Sequence, residues 1–191
     1  MNGKAFDKRT FTFSSFTGHT AKIIKEMIRS KDSLRIAGLS PAFQEKIMLA
    51  VTAVNGCIMC SWYHCKKALE AGCTDKEIQE LFDTETMNVK KDEALALTFA
   101  QHYAETRGNP SKEAFKRLIE YYGVQKSKAI LVYILMITVG NLSGNTIEAF
   151  EYRLKKGGRS IKGILFEFFM YLLGAPIFYY VKWNKEKQKI I

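Results

Sequence analysis

The stretch that most constrains the fold of this chain is an uncharged apolar run that stops at a turn signal. Ser40 and Pro41 are a strong helix start, with Ser as the N-cap and Pro at the first helical position. From residue 47 to 54 (IMLAVTAV) the predicted helix carries no charge on any side, which indicates burial almost all round. Asn55 and Gly56 follow directly and predict a break. We therefore expect a buried helix, then a new one after the break.

Two thiols and an imidazole follow this break at fixed spacing. On a helix of about 100° per residue, Cys57, Cys60 and His64 lie at roughly 0°, 300° and 340°, so they share one face. Cys60 and His64 are an i, i+4 pair, and Cys57 lies one turn before Cys60. In the first turn of a helix, unpaired amides and the positive end of the dipole favour a thiolate. The pattern is typical of a redox-active dithiol beside a base.

A carboxylate, Glu45, precedes the thiols by twelve residues. On an unbroken helix it would lie roughly 18 Å from Cys57 along the axis and could not touch it. Glu45 can join the thiols only if the helix is kinked at Asn55-Gly56, or if the fold brings two helices side by side. A site that includes Glu45 therefore predicts a kink or a chain reversal at Asn55-Gly56.

The remaining sequence predicts an all-α fold. No segment shows sustained period-two alternation, and glycines and capping signals recur at helical lengths. Residues 1–17 lack a clear period and are expected to form an arm on the body. An apolar segment, AILVYILMITV, is expected at the centre of a bundle or at a subunit interface. The predicted helices cover about 20–29, 41–54, 57–71, a short segment opened by a Thr74 to Glu77 capping box, 89–106, 111–122, 125–138 and 146–155.

The C-terminal stretch differs in composition. Residues 163–181 hold one charge, Glu167, over a length close to that of a bilayer span, and a Gly-Ala-Pro sequence interrupts them at 174–176. Basic runs lie on both sides. We expect a helical domain over 1–158 and an extension over 159–191. One interpretation of the extension is a terminal helix pair that packs on the body or on another subunit. The alternative is a membrane-surface anchor around 161–183.

Charge and cysteine usage limit the class of protein. The formal charge is +10, but the 29 basic residues are spread along the chain without a nucleic-acid motif, so we expect a basic solvated surface and no nucleic-acid partner. Three of the four cysteines fall within nine residues, unlike a disulfide-stapled secreted domain. The first residues have no apolar core typical of a signal peptide. We expect a cytoplasmic protein, with membrane association through the extension as the alternative.

The motif E-x11-C-x2-C-x3-H, formed by Glu45, Cys57, Cys60 and His64 and followed by KALEAGCTDKEI, resembles the AhpD-like alkylhydroperoxidase branch of the carboxymuconolactone decarboxylase superfamily. The resemblance is clear over 41–81. It implies an all-helical, homo-oligomeric (trimeric or hexameric), thiol-dependent peroxidase without a cofactor, acting on a hydroperoxide with an external dithiol or protein as reductant. It makes Cys60 the attacking thiol, Cys57 the resolving thiol, and His64 with Glu45 the proton relay.

The chain departs from this family at Met59, where some members carry a second histidine directly before the second cysteine. Zinc is an alternative occupant, since Cys65 or Cys73 could complete a ligand set with the motif, although consecutive turns of one helix rarely close a tetrahedron. We otherwise expect Cys65 and Cys73 to be packing residues, and assign no role to His19 and His102. The functional alternatives are a redox-sensing or membrane-associated oligomeric scaffold, and an enzyme like carboxymuconolactone decarboxylase.

Overall fold

The computed structural model describes residues 6–83, 90–156 and 163–188, and these ranges contain helices and no strands. The all-α prediction is confirmed. A non-helical residue, Gly123, divides the long segment α7 (Lys112–Lys156) into two helices. The helices are α1 (Phe13–Arg29), α2 (Lys31–Ile36), α3 (Pro41–Asn55), α4 (Ile58–Glu70), α5 (Asp75–Phe82), α6 (Lys91–Glu105), α7 (Lys112–Lys156) and α8 (Ile164–Gln188).

Helix α3 lies at the centre of the core, as its uncharged run predicts. It packs against α4, α5, α6 and α7. Ile47, Leu49, Ala50 and Val51 are fully buried in one cluster with side chains of α6 and α7. The predicted start is also confirmed, because the hydroxyl of Ser40 accepts a hydrogen bond from the Phe43 amide. A helix surrounded on so many sides fixes where the elements after it can pack.

The N-terminal region is more helical than predicted. Helix α1 begins at Phe13, because Thr12 caps it in a capping box with Ser15. The residues just before it do form an arm on the body, in which Lys8 pairs with Glu148 at 2.7 Å. The expected helix start near residue 20 was therefore wrong by about two turns. The first five residues of the expected arm lie outside the described ranges.

Helix α7 continues through the Gly- and Asn-rich stretch 140–146, where two separate helices were predicted. The polar side chains there make tertiary hydrogen bonds inside the body. Asn141 accepts from Thr52 on α3 at 3.1 Å, and Asn145 donates to the carbonyl of Asn55 at 2.9 Å. Both asparagines are fully buried. These bonds to α3 outweigh the loop preference of the local sequence.

The aromatic extension forms a single helix, α8, instead of the predicted helix pair, with Pro176 inside it. It packs on α7 and α4. Gly174 faces Ile147 of α7, whose Cδ1 would have to move if residue 174 carried a Cβ. The expected domain boundary at 158/159 and Lys162 lie outside the described residues.

A buried ion network that sequence reasoning missed joins three helices. The ammonium of Lys46 on α3 is buried and lies 2.7 Å from a carboxylate oxygen of Glu77 on α5 and 2.9 Å from one of Glu93 on α6. Burial acts to lower the pKa of Lys46, but hydrogen bonds to the two carboxylates outweigh it and raise the pKa overall. Glu77 also completes the predicted capping box with Thr74. The hydrogen bond from Lys46, and then that from the Thr74 backbone, lower the pKa of Glu77 from 4.5 to about 2.

This network predicts a pH dependence of stability. Because the folded-state pKa of Glu77 is depressed, its contribution is present above pH 4.5 and is lost as the pH falls towards 2. The variant Glu77→Gln keeps an acceptor for the capping box, so we expect it to cost about 1 kcal/mol at pH 7 and to unfold with a shallower pH dependence between these values. Urea unfolding across this pH range measures both effects.

The control for that experiment is Glu120→Gln, which removes an exposed carboxylate 3.7 Å from Lys116. It should unfold like the parent protein at every pH. A Glu77→Gln curve parallel to that of the parent protein would contradict the assignment.

Candidate active site

The chain reverses at Asn55-Gly56, as the motif requires. Gly56 has a left-handed backbone, φ 68°, and is the C-cap of α3. Cys57 follows at once as the N-cap of α4. The turn is held from outside, since Asn55 is buried and its carbonyl accepts the hydrogen bond from Asn145. The two helices therefore lie side by side, and α4 runs back along α3.

This reversal brings Glu45 to His64. The carboxylate oxygen Oε2 of Glu45 lies 2.7 Å from Nδ1 of His64, and both side chains are about 85% buried, with exposed fractions of 16% and 15%. An ionised carboxylate at this distance holds the proton on Nδ1. The neutral ring then presents Nε2 as a base. From the sequence, Glu45 could reach the motif only if the chain bent back at Asn55-Gly56, and in the structure it does.

The two cysteines of the motif form a disulfide at the start of α4. Their Cα atoms lie 5.3 Å apart. Cys57 is 1% exposed and takes the N-cap position, where its sulfur accepts a hydrogen bond from the Cys60 amide at 3.3 Å. Cys60 is half-buried. The positive end of the helix thus faces the sulfur of Cys57, while Cys60 has more contact with solvent.

A cavity of about 350 Å³ lies over Cys60 and His64. Helices α4, α7 and α8 form its walls, so the C-terminal extension lies beside Cys60 and His64, which the sequence did not predict. Most of the lining is apolar. The lining side chains other than Cys60 and His64 include Met59, Tyr63, Ser143, Ile147, Met170, Leu173, Ile177 and Val181. The cavity places the sulfur of Cys60 and the imidazole of His64 beside a mostly apolar wall. Such a lining suits a substrate with an apolar part and one reactive polar group.

Comparison with protein families gives a match to the Carboxymuconolactone decarboxylase family over residues 26–101. This part of the chain is therefore similar to the carboxymuconolactone decarboxylase family. The match contains all four motif residues and confirms the resemblance inferred from them. It covers about two fifths of the chain and leaves out α7 and α8. Searches of the curated proteins and of the solved structures gave no match.

Gly144 on α7 lies against the disulfide between Cys57 and Cys60. A Cβ at this position would lie 2.7 Å from the sulfur of Cys57 and 3.6 Å from that of Cys60. No side chain fits there without displacing the sulfurs or the helix. Residue 144 lies between the predicted helices 125–138 and 146–155, and nothing near it in the sequence points to the cysteines.

Two tyrosines beside the relay were also missed. The ring of Tyr63 packs edge-on against His64, with centroids 5.1 Å apart. Burial, and secondarily the negative charge of Glu45, raise the pKa of Tyr133 on α7. The phenol of Tyr133 is therefore protonated at neutral pH near the carboxylate. Tyr63 lies inside the motif, directly before His64, whereas only the fold places Tyr133 next to it.

The other candidate residues lie away from the dithiol chemistry. Cys65 and Cys73 are free thiols, and burial raises the pKa of each, which disfavours the reactive thiolate. In the described ranges, no cluster of three or more His, Cys, Asp or Glu side chains is arranged to hold a metal ion. His19 bonds the carbonyl of Ser15 at 2.8 Å, and His102 lies 3.5 Å from the amide of Ser111.

The contact at Gly144 gives a stability prediction. Gly→Ala inside a helix normally stabilises by up to about 1 kcal/mol, but overpacking against the disulfide costs about 1–3 kcal/mol. We expect Gly144→Ala to lower the free energy of unfolding of the oxidised protein by about 1–2 kcal/mol, measured by urea unfolding. Gly140→Ala is the matched control, because its new Cβ meets only Cδ1 of Ile137 at an ordinary 3.9 Å. Equal effects of the two substitutions would refute the close contact.

Proposed function

We propose that this protein is a thiol-dependent peroxidase that reduces hydroperoxides through the Cys57 and Cys60 dithiol. The observation that carries the proposal is the geometry of the cavity. A half-buried Cys60, disulfide-linked to a buried Cys57, shares the cavity with His64, and Glu45 holds the imidazole. A dithiol, a base and its orienting carboxylate are the groups that peroxide reduction needs.

The assignment of Cys60 as the attacking thiol rests on access. A peroxide must reach the sulfur that attacks it, and Cys60 lines the cavity, whereas Cys57 is 1% exposed and does not. Hydrogen bonding at the helix start would favour Cys57 as the thiolate. Because the peroxide can reach only Cys60, we assign Cys60 as the attacking thiol in the oxidative step. The helix start stabilises the thiolate of Cys57 in the reductive step.

The reaction begins with attack of the Cys60 thiolate on the terminal oxygen of the hydroperoxide. An S–O bond forms, the O–O bond breaks, and the alkoxide leaves as an alcohol after taking a proton through His64. Cys60 is then a sulfenic acid. The thiolate of Cys57 attacks the Cys60 sulfur, hydroxide leaves as water, and the disulfide closes. Two electrons have passed from the dithiol to the peroxide.

An external thiol or dithiol must reduce the disulfide to complete the cycle. The reductant would attack the accessible sulfur, that of Cys60, and release the thiolate of Cys57. The amide of Cys60 and the positive end of α4 stabilise that thiolate, which makes Cys57 a better leaving group. Burial keeps the peroxide from reaching Cys57, which agrees with a role of Cys57 as the resolving residue.

Two other functions make different predictions. A redox sensor would form the same disulfide once per oxidation event but would show no turnover with peroxide and a thiol donor. An enzyme like carboxymuconolactone decarboxylase would act on a lactone, a reaction that does not use a dithiol. The disulfide in the cavity favours redox chemistry over the second of these.

Substitution of each cysteine tests the order of attack. We expect Cys60→Ser to abolish hydroperoxide consumption with a dithiol donor, because no accessible thiolate remains. Cys57→Ser should still react once and then accumulate a Cys60 sulfenic acid or mixed disulfide, detectable by mass spectrometry after trapping with a dimedone-type probe. Normal turnover by Cys60→Ser would refute the assignment, and a trapped sulfenic acid on Cys57 would reverse it.

The proton relay gives a separate kinetic prediction. We expect His64→Gln to lower kcat/KM for a hydroperoxide by about 100-fold, because general acid and base catalysis contributes at least that much. Glu45→Gln keeps an oxygen that can accept from Nδ1, so its loss should be smaller and should come with a changed pH profile. His102→Gln is the control, since His102 lies on α6 away from the cavity. A rate for His64→Gln equal to that of the control would exclude the relay.

A further inference from the structure

Helix α8 presents an apolar stripe to solvent. Its members are Leu165, Phe168, Phe169, Leu172, Leu173 and Ile177, here called the α8 stripe, and each is between 46% and 80% exposed. At about 100° per residue they fall within about half of the helix circumference. No charged residue lies among them in the sequence from 165 to 177 except Glu167. An exposed apolar face of this size on a helix indicates a surface that binds something.

The one acidic residue of this segment is turned away from the stripe. Glu167 is 5% exposed and is paired with Arg153 on α7, whose Nε and Nη2 lie 2.9 Å and 3.0 Å from the carboxylate oxygens. Met170 and Val181 are buried on the same side of α8. The body therefore neutralises Glu167, and the stripe itself carries no negative charge.

The charges around α8 select the class of partner. In the sequence, Lys155, Lys156, Arg159 and Lys162 precede the helix, and four lysines with one glutamate occupy positions 182–189. A second copy of this chain laid on the stripe would bring positive ends together in either a parallel or an antiparallel arrangement, which is unfavourable. Anionic lipid headgroups would instead neutralise both ends.

The side chains at the C-terminal end of the stripe agree with a lipid surface. Tyr179, Tyr180 and Trp183 are more than half exposed, and such amphipathic rings favour the headgroup level of a bilayer. Among the described helices, only α7 is long and apolar enough to cross a membrane, and two thirds of its apolar window is buried in the body. The apolar part of α8, 164–177, is shorter, which fits a helix lying on the surface.

The stripe is continuous with the cavity over the dithiol. Leu173 and Ile177 belong to the stripe, with exposed fractions of 61% and 67%, and also line the cavity that holds Cys60 and His64. We propose that α8 docks the protein on an anionic membrane surface through this stripe, and that acyl-chain hydroperoxides pass from the lipid between these two side chains to Cys60. The delivery of acyl-chain hydroperoxides to Cys60 rests on the proposed peroxidase function, and the docking of α8 does not.

The docking half is tested by flotation with vesicles of about three parts phosphatidylcholine to one part phosphatidylglycerol, and with phosphatidylcholine alone. We expect the full chain to bind the anionic vesicles and to bind the neutral ones more weakly. The double variant Phe169→Glu/Leu172→Glu, in exposed positions that do not line the cavity, should lose binding by at least about tenfold. Ile36→Glu, at an exposed apolar position on α2, is the matched control and should bind as the parent does.

Two results would overturn the docking surface. One is equal binding to anionic vesicles by the double variant and the parent. The other is absence of binding to anionic vesicles by the parent. A dimer in analytical ultracentrifugation that the double variant dissociates would then show that a second copy covers the stripe. Circular dichroism of the double variant is the control that tests whether it is folded.

The substrate half is tested with two peroxides. The double variant should reduce tert-butyl hydroperoxide in solution at the parent rate and lose turnover of phosphatidylcholine hydroperoxide presented in the anionic vesicles. Equal loss with both peroxides would refute delivery from the lipid. Vesicle binding without reduction of either peroxide by the parent would refute the proposed function and leave the docking surface intact, so the two failures are distinguishable.

Discussion

The site depends on one constraint, the reversal of the chain at Asn55-Gly56. Glu45 and the thiols belong to different helices, and only an antiparallel packing of α3 and α4 brings the carboxylate within hydrogen-bonding distance of His64. Gly56 supplies the left-handed backbone, and Asn145 holds the turn from α7. The turn is thus both a helix end and the element that assembles the candidate site.

Helix α7 supports this turn along its length. Asn141 bonds α3 through Thr52, Asn145 bonds the turn, and Gly144 between them lets the helix approach the disulfide. The spacing places these contacts within about one helical turn. On the same helix, Ile147 meets Gly174 of α8. A single segment therefore connects the family motif to the C-terminal helix that completes the cavity.

Local rules predicted the parts of the structure that depend on local chemistry. The Ser40-Pro41 start, the break at Gly56 and the Thr74 capping box follow from backbone conformation and capping, which act within a few residues. The shared face of Cys57, Cys60 and His64 follows from the helical repeat. For the same reason the family motif could be recognised from spacing alone.

The rest depends on contacts between residues far apart in the sequence. Gly144 and its neighbouring asparagines have the composition of a loop, and the hydrogen bonds of Asn141 and Asn145 to α3 and the turn stabilise α7 there. Lys46 on an apolar helix would ordinarily be a solvated residue, and its burial requires carboxylates from α5 and α6. No sequence signal connects Leu173 or Ile177 with Cys60, 113 or more positions away.

The apolar walls of the cavity bear on how a single imidazole could serve the proposed chemistry. Met59, which stands directly before Cys60, lines the cavity together with apolar side chains from α7 and α8. A sulfenic acid formed on Cys60 would lie next to Cys57, whose attack closes the disulfide. The proton relay would then have to pass through His64, because the described residues that line the cavity include no second imidazole, and the orientation of that ring matters for the transfer. The buried contact with Glu45 fixes that orientation, which makes the carboxylate more important here than in a site with two histidines.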